Sequence, residues 1–288
     1  MKDKIHLVEC PRDAMQGWGH FIPTQKKIQY INALLKVGFD TIDFGSFVSP
    51  KAIPQMADTR EVMDALDVAV SPSKLLAIVA NVRGAKEAVS FSGITYLGFP
   101  FSVSPTFQYR NTNSSIEESL VMVNEMQALC SAHQKQLVIY LSMGFGNPYG
   151  DPYDEGIVLQ WVEKLADLDV KIISVADTVG IAKPEQVTSI LNELIPSYPA
   201  IEFGVHLHST PEKWKQKIDA ALGAGCTRFD GALKGIGGCP MAGDTLTGNM
   251  NTEWLIPYFE EKDLLPSLDT KALQAALQIA TEIFTPDQ

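Results

Sequence analysis

IEFGVHLHST, residues 201–210, decides how the chain is read. Phe203 and Val205 supply β-prone bulk, so the segment predicts a strand. Side chains alternate along a strand, so His206 and His208 leave the same face, one above the other. Two neutral imidazoles so placed suit a divalent metal, although an HxH taken alone is more often a pair of hydrogen-bonded core histidines. Thr210 and Pro211 then predict a helix start, with a capping hydroxyl and a proline at the first helical position. The histidines therefore stand at the C-terminal end of a strand, just before a helix. In an alternating barrel of strands and helices, that is where chemistry is done.

Outward from this segment, strand-like and helix-like stretches alternate along the whole chain. Strands are predicted at 5–10, 41–47, 75–81, 94–101, 138–143 and 171–178, with the histidine strand seventh and an eighth at 228–233. The run at 75–80 is unbroken apolar sequence, as expected of a strand buried on both faces. Helices are predicted at 24–37, 59–66 and 84–91. Others open at Ser115, which has capping-box spacing to Glu118, at Asp154 and at Pro184. One more follows the histidine strand to about 224, and two close the chain near 252–259 and 270–284. Eight such units predict an α/β fold, a closed (β/α)8 TIM barrel with an extra C-terminal helix. The expected organisation is one domain over 1–288, with the barrel at about 5–260 and a helical extension at about 261–288. An open doubly wound sheet is the alternative, but no GxGxxG follows the first strand.

The composition fits one large globular unit, with 45% hydrophobic and 20% charged residues over 288 positions. The formal charge is 23 minus 34, or −11, which argues against nucleic acid as a general partner. Cys10, Cys130, Cys226 and Cys239 make no CxxC pair, so neither a zinc knuckle nor a disulfide framework is indicated, and a reducing, cytoplasmic setting fits. The longest apolar run is far too short to span a bilayer, so no membrane partner is expected.

Polar residues at the predicted strand ends are the candidates for chemistry. PRDAMQ after the first strand brings Arg12, Asp13 and Gln16. Asp43 lies in the second strand, Asp177 and Thr178 end the sixth, and the glycine-rich loop after the eighth carries Cys239 and Asn249. Asp13 is the natural third metal ligand, or else a cap; a carboxylate with two imidazoles leaves coordination positions open. Arg12 can stabilise a developing oxyanion with forked donors, or form an ion pair. Asp43, among core positions, needs a partner, and Arg12 is the obvious one. Cys239 in its mobile-looking loop can pass a proton, or pack as a small apolar residue. His6, His20 and His133 read as strand start, loop and helix surface.

Together these residues resemble the 3-hydroxy-3-methylglutaryl-CoA lyases, within a wider group of metal-dependent barrel lyases and Claisen-type synthases. The pieces are PRDAMQ, DFGSFVSPKAIPQMAD, NTNSSIEES, ADTVG, VHLH, and GGCP followed by GN, over roughly residues 5–260. The resemblance implies carbon–carbon cleavage of 3-hydroxy-3-methylglutaryl-CoA to acetyl-CoA and acetoacetate, the chemistry of leucine and ketone-body metabolism. It implies Mg or Mn held by Asp13, His206, His208 and Asn249. Arg12, Cys239, His206 and Asp43 would be catalytic, with Gln16, Asp177 and Thr178 at the substrate, in a homodimer. The chain departs from the family's usual residues at Asp43 (glutamate), Ser209 (aspartate) and Pro105 (glutamate). The competing expectations are a related aldolase or lyase acting on another 3-hydroxyacyl-CoA or a 2-keto acid, a zinc hydrolase barrel, and a barrel that binds acyl-CoA without catalysis.

Overall fold

A computed structural model describes residues 4–238 and 247–285. Its eight strands are β1 (His6–Glu9), β2 (Thr41–Ser46), β3 (Lys74–Ile78), β4 (Ile94–Ser102), β5 (Gln136–Ser142), β6 (Ile172–Ala176), β7 (Glu202–His206) and β8 (Arg228–Gly231). They pair in chain order, all parallel, and β1 closes on β8. The fold is the expected (β/α)8 barrel.

The helices are α1 (Pro11–Gln16), α2 (Thr24–Leu34), α3 (Thr59–Asp64), α4 (Val82–Ala88), α5 (Pro105–Thr112), α6 (Ile116–Ala132), α7 (Glu155–Asp167), α8 (Pro184–Ser197), α9 (Trp214–Gly223), α10 (Thr252–Glu261) and α11 (Thr270–Ile283). Ser115 and Glu118 form the expected capping box on α6, and Asp154 caps α7 through the Ile157 amide.

Alternation along the strands divides the core in two. Leu76 and Ile78 of β3 and Val138 and Tyr140 of β5 fill the barrel. Their neighbours Leu75, Ala77, Leu137 and Ile139 face the helices. The same alternation makes β8 present Phe229 to α10, through Phe259, while Arg228 and Asp230 stand on the alternate face.

One local expectation is corrected, and two short helices are added. Thr210 and Pro211 do not begin a helix; the Thr210 carbonyl accepts from the Lys213 and Trp214 amides, closing a turn, and α9 starts only at Trp214. PRDAMQ is the short helix α1, with Pro11 in its first turn. The stretch between β4 and α6 holds α5, capped by Ser104.

Glu9 fastens the end of β1 to the segments that follow its neighbour β8. It accepts from the Leu233 amide (2.8 Å) and the Thr252 hydroxyl (2.6 Å). Full burial outweighs those bonds and lifts its carboxyl to about 8 from an ordinary 4.5. Between those two values the folded chain holds a proton that the unfolded chain has released, so stability falls as pH rises through that window. We expect unfolding free energy to drop by a few kcal/mol on the order of magnitude over it, and Glu9→Gln to remove most of that slope. Denaturant titrations of both proteins at several pH values check this; parallel pH profiles would contradict it.

Candidate active site

α1 is short, so Arg12, Asp13 and Gln16 leave the end of β1 within little more than one helical turn. The guanidinium of Arg12 is nearly enclosed. Its Nε donates to Asp43 Oδ1 (3.2 Å) and Oδ2 (3.0 Å), one terminal nitrogen donates to Asp43 Oδ2 (2.5 Å), and the other to Asp13 Oδ1 (2.8 Å). A guanidinium has five N–H groups. The carboxylates engage Nε–H and one hydrogen of each terminal nitrogen, so each terminal nitrogen keeps one N–H for a substrate oxygen. Arg12 also lines the cavity that opens here, about 400 Å³ in volume.

Asp13 is the junction of the site. Its Oδ1 accepts from Arg12 and from Gln16 Nε2 (2.8 Å). Its Oδ2 accepts from Asn249 Nδ2 (2.7 Å) and lies 3.9 Å from His206 Nε2. Burial alone would push this carboxyl up, but Arg12 and the two imidazoles outweigh it and hold it down at about 2. For Asp43 burial prevails over Arg12 and the carboxyl rises to about 6.

Both histidines are held by Nδ1. His206 Nδ1 lies 3.1 Å from Asp230 Oδ2, and His208 Nδ1 lies 2.8 Å from the carbonyl of Thr247. A carboxylate and a carbonyl can only accept, so in the neutral form of each ring Nδ1 carries the proton and Nε2 keeps a free lone pair. Burial lowers the basicity of both rings; the hydrogen bond and charge of Asp230 reverse this at His206, while His206 itself pushes His208 further down. Asp13, His206 and His208 each offer one ligand atom, all within 4.8 Å of one another and largely buried. A carboxylate oxygen with two imidazole nitrogens, each backed by a hydrogen-bonded partner, is a donor set that fits a divalent cation.

The returning segment after the glycine loop completes the site. Met250 N bonds Leu207 O (3.1 Å), and Asn249 pairs with His208 across an antiparallel bridge. The Asn249 amide donates to Asp13 and to Ile236 O (2.9 Å), so ligation through its oxygen requires the amide to turn. Gly237, at φ +109°, has no room for a side chain: a Cβ would meet Asn249 Nδ2 at 2.5 Å and Asp13 O at 2.7 Å.

A family model described as HMGL-like matches residues 5–279. The chain belongs to the HMGL-like family. The hydroxymethylglutaryl-CoA lyase of Bacillus subtilis (strain 168) is 32% identical over 274 residues, 95% of this chain and 91% of that one. A mitochondrial hydroxymethylglutaryl-CoA lyase of Arabidopsis thaliana is 32% identical over 273 residues, and there this chain spans only 58% of the relative's length. Among solved structures, an HMG-CoA lyase from Acinetobacter baumannii in complex with coenzyme A and 3-methylmalate superposes with TM-score 0.90 at 31% identity. That match covers 99% of this chain and 94% of the other.

As an HMGL-like site, the arrangement brings together most of the residues expected from sequence. Arg12, Asp13, Gln16, Thr178, His206 and His208 all line the cavity. Two of the expected residues stand back from the cavity wall. Asp43 is completely buried and, among the described residues, its hydrogen bonds go to Arg12, the partner expected for it. Asp177 is also withdrawn: its oxygens accept from the Ala182 amide and from Lys217, and it does not line the cavity. Cys239 lies outside the described residues. Two residues were not anticipated. Asp230 holds His206, and Tyr140 lines the cavity with its ring edge-on to His206, centroids 5.7 Å apart. The signal for both was alternation, since inward positions of an interior strand that carry a carboxylate or a phenol need a partner.

Proposed function

We propose that this chain is a hydroxymethylglutaryl-CoA lyase, cleaving 3-hydroxy-3-methylglutaryl-CoA to acetyl-CoA and acetoacetate. The observation that carries the reading is the enclosure of Arg12 beside Asp13, His206 and His208 on the wall of one cavity. Asp13, His206 and His208 would hold a divalent cation, Mg or Mn, with Asn249 as a fourth donor. When bound, such a cation supplies Lewis acidity toward the tertiary hydroxyl of the substrate and fixes its orientation.

The chain's own residues do the rest. His206, backed by Asp230, has one free lone pair, on Nε2; it takes the proton of that hydroxyl when it does not ligate, leaving Asp13, His208 and Asn249 as the donor set. The carbon–carbon bond then breaks toward the thioester, leaving a ketone, the acetoacetate product, and the enolate of acetyl-CoA. Arg12 directs its two remaining N–H groups at the thioester oxygen as negative charge grows there. Asp43 keeps that fork from rotating. We assign to Cys239 the proton delivered to the enolate carbon, and to Gln16 and Thr178 contacts with the acyl group. Arg110, also on the cavity wall, offers a cation to the anionic coenzyme. A homodimer in the cytoplasm is part of the same reading; among the described residues no helix is long and apolar enough to cross a membrane.

Mass spectrometry of the products tests the reading. Acetoacetate and acetyl-CoA should appear in equal amounts from 3-hydroxy-3-methylglutaryl-CoA. Pyruvate from a 4-hydroxy-2-oxo acid, with no acetoacetate from the thioester, would make the chain an aldolase instead.

A further inference from the structure

Lys217 lies in the run WKQK of α9, which reads as a solvated face, yet its side chain is only 3% exposed. Its ammonium has three N–H groups, and all are engaged. Nζ donates to Asp177 Oδ2 (2.6 Å), to His208 O (2.8 Å) and to Gly180 O (3.1 Å). The acceptors belong to two different strand ends, the turn leaving β6 and the residues leaving β7. Burying an ammonium costs several kcal/mol unless it is paired and fully bonded, so this one is held in a site built for it.

We infer that Lys217 is a positioning residue that fixes His208, and the seat of the segment 247–249, from behind the cavity. The connections form a closed circuit. Lys217 ties the backbone of His208 to that of Gly180. Gly180, at φ +74°, leaves the space that Thr247 fills; a Cβ there would meet the Thr247 side chain at 2.8 Å. The carbonyl of Thr247 accepts from His208 Nδ1 and so orients the imidazole. Two residues on, Asn249 reaches Asp13. Asp177 neutralises the ammonium and, through Oδ1, holds the Ala182 amide at 2.9 Å, closing the turn on which Gly180 sits. Lys217 does not line the cavity, so its influence on chemistry passes through His208 and Thr247.

This inference rests on the reading of Asp13, His206 and His208 as the donor set, and two readouts separate the two claims. Lys217→Met alone strands a buried carboxylate, so the test uses Lys217→Met/Asp177→Asn, which leaves no unpaired charge, and Lys217→Gln, which keeps a donor. In metal-free protein, long-range ¹H–¹⁵N spectra should place the His208 proton on Nδ1 in the parent chain and show mixed tautomers in the double variant, with Lys217→Gln between them. Calorimetric titration with Mn²⁺ should show affinity about 10–100-fold weaker in the double variant, the range for losing an outer partner of a ligand. A folded variant with the parent's tautomer and the parent's Mn²⁺ affinity overturns the inference. A parent chain that takes up no Mn²⁺ while the tautomer changes as expected overturns the donor-set reading and leaves the clamp on His208 standing.

Discussion

Arg12→Gln is expected to lower kcat by about 10²-fold or more while Mn²⁺ still binds. The two N–H groups that Arg12 has left for substrate sit in a water-poor site, where preorganised donors act on charge that exists only as the bond breaks. Glutamine cannot replace a fork fixed on one side by Asp43 and on the other by Asp13. Lysine should fare little better, because an ammonium lacks the planar, bidentate geometry. Removing the guanidinium also leaves Asp43 buried without its partner, a change that costs about 3–5 kcal/mol. The kinetic comparison therefore belongs on Arg12→Gln/Asp43→Asn as well, where that burden is relieved. Near-normal kcat in a folded variant would remove Arg12 from the chemistry.

The second large effect concerns Asp13. Asp13→Asn preserves the shape of the side chain and removes its charge. The carboxylate contributes the anionic member of the donor set, accepts from Arg12, Gln16 and Asn249, and is held ionised to about pH 2. We expect Mn²⁺ affinity to fall by more than the roughly 10–100-fold typical of an outer partner, and turnover to fall with it. Calorimetry on the variant decides the matter. Unchanged affinity would mean that the two imidazoles and Asn249 hold the cation without Asp13.

The barrel was legible in the sequence because strand alternation and helix caps are local. Residues 75–80 read as a buried strand and lie in or beside β3; Ser115 and Asp154 announced their helices. His206 and His208 were legible for the same reason, since a two-residue spacing on a strand sets a shared face whatever surrounds it. α1 was not legible, because six residues are too few to show a helical period. The start of α9 was misread because Thr210 and Pro211 satisfy a cap rule that the turn to Lys213 overrides.

The site was legible in its types and less so in its roles. Sequence could pair Asp43 with Arg12, but only the fold shows that Asp43, one methylene shorter than the usual glutamate, still engages Nε and a terminal nitrogen of Arg12 and goes no further. Asp177 looked like a substrate residue at a strand end; its withdrawal depends on Lys217, forty positions away in sequence. Lys217 itself resembled its exposed neighbours, because burial of one lysine beside Ile218 is a property of where α9 docks. Asp230 sits only two residues beyond Arg228, yet it meets His206 only through the register of β8 on β7, which sets Gly204 beside Arg228.

The most direct test of the whole account is turnover of 3-hydroxy-3-methylglutaryl-CoA by metal-stripped protein, before and after addition of Mg²⁺ or Mn²⁺, with acetoacetate as the readout. The account predicts no acetoacetate from the stripped protein and its release when either ion is restored. Acetoacetate released at the same rate without any divalent ion, or none released by protein with Mn²⁺ bound, would contradict it.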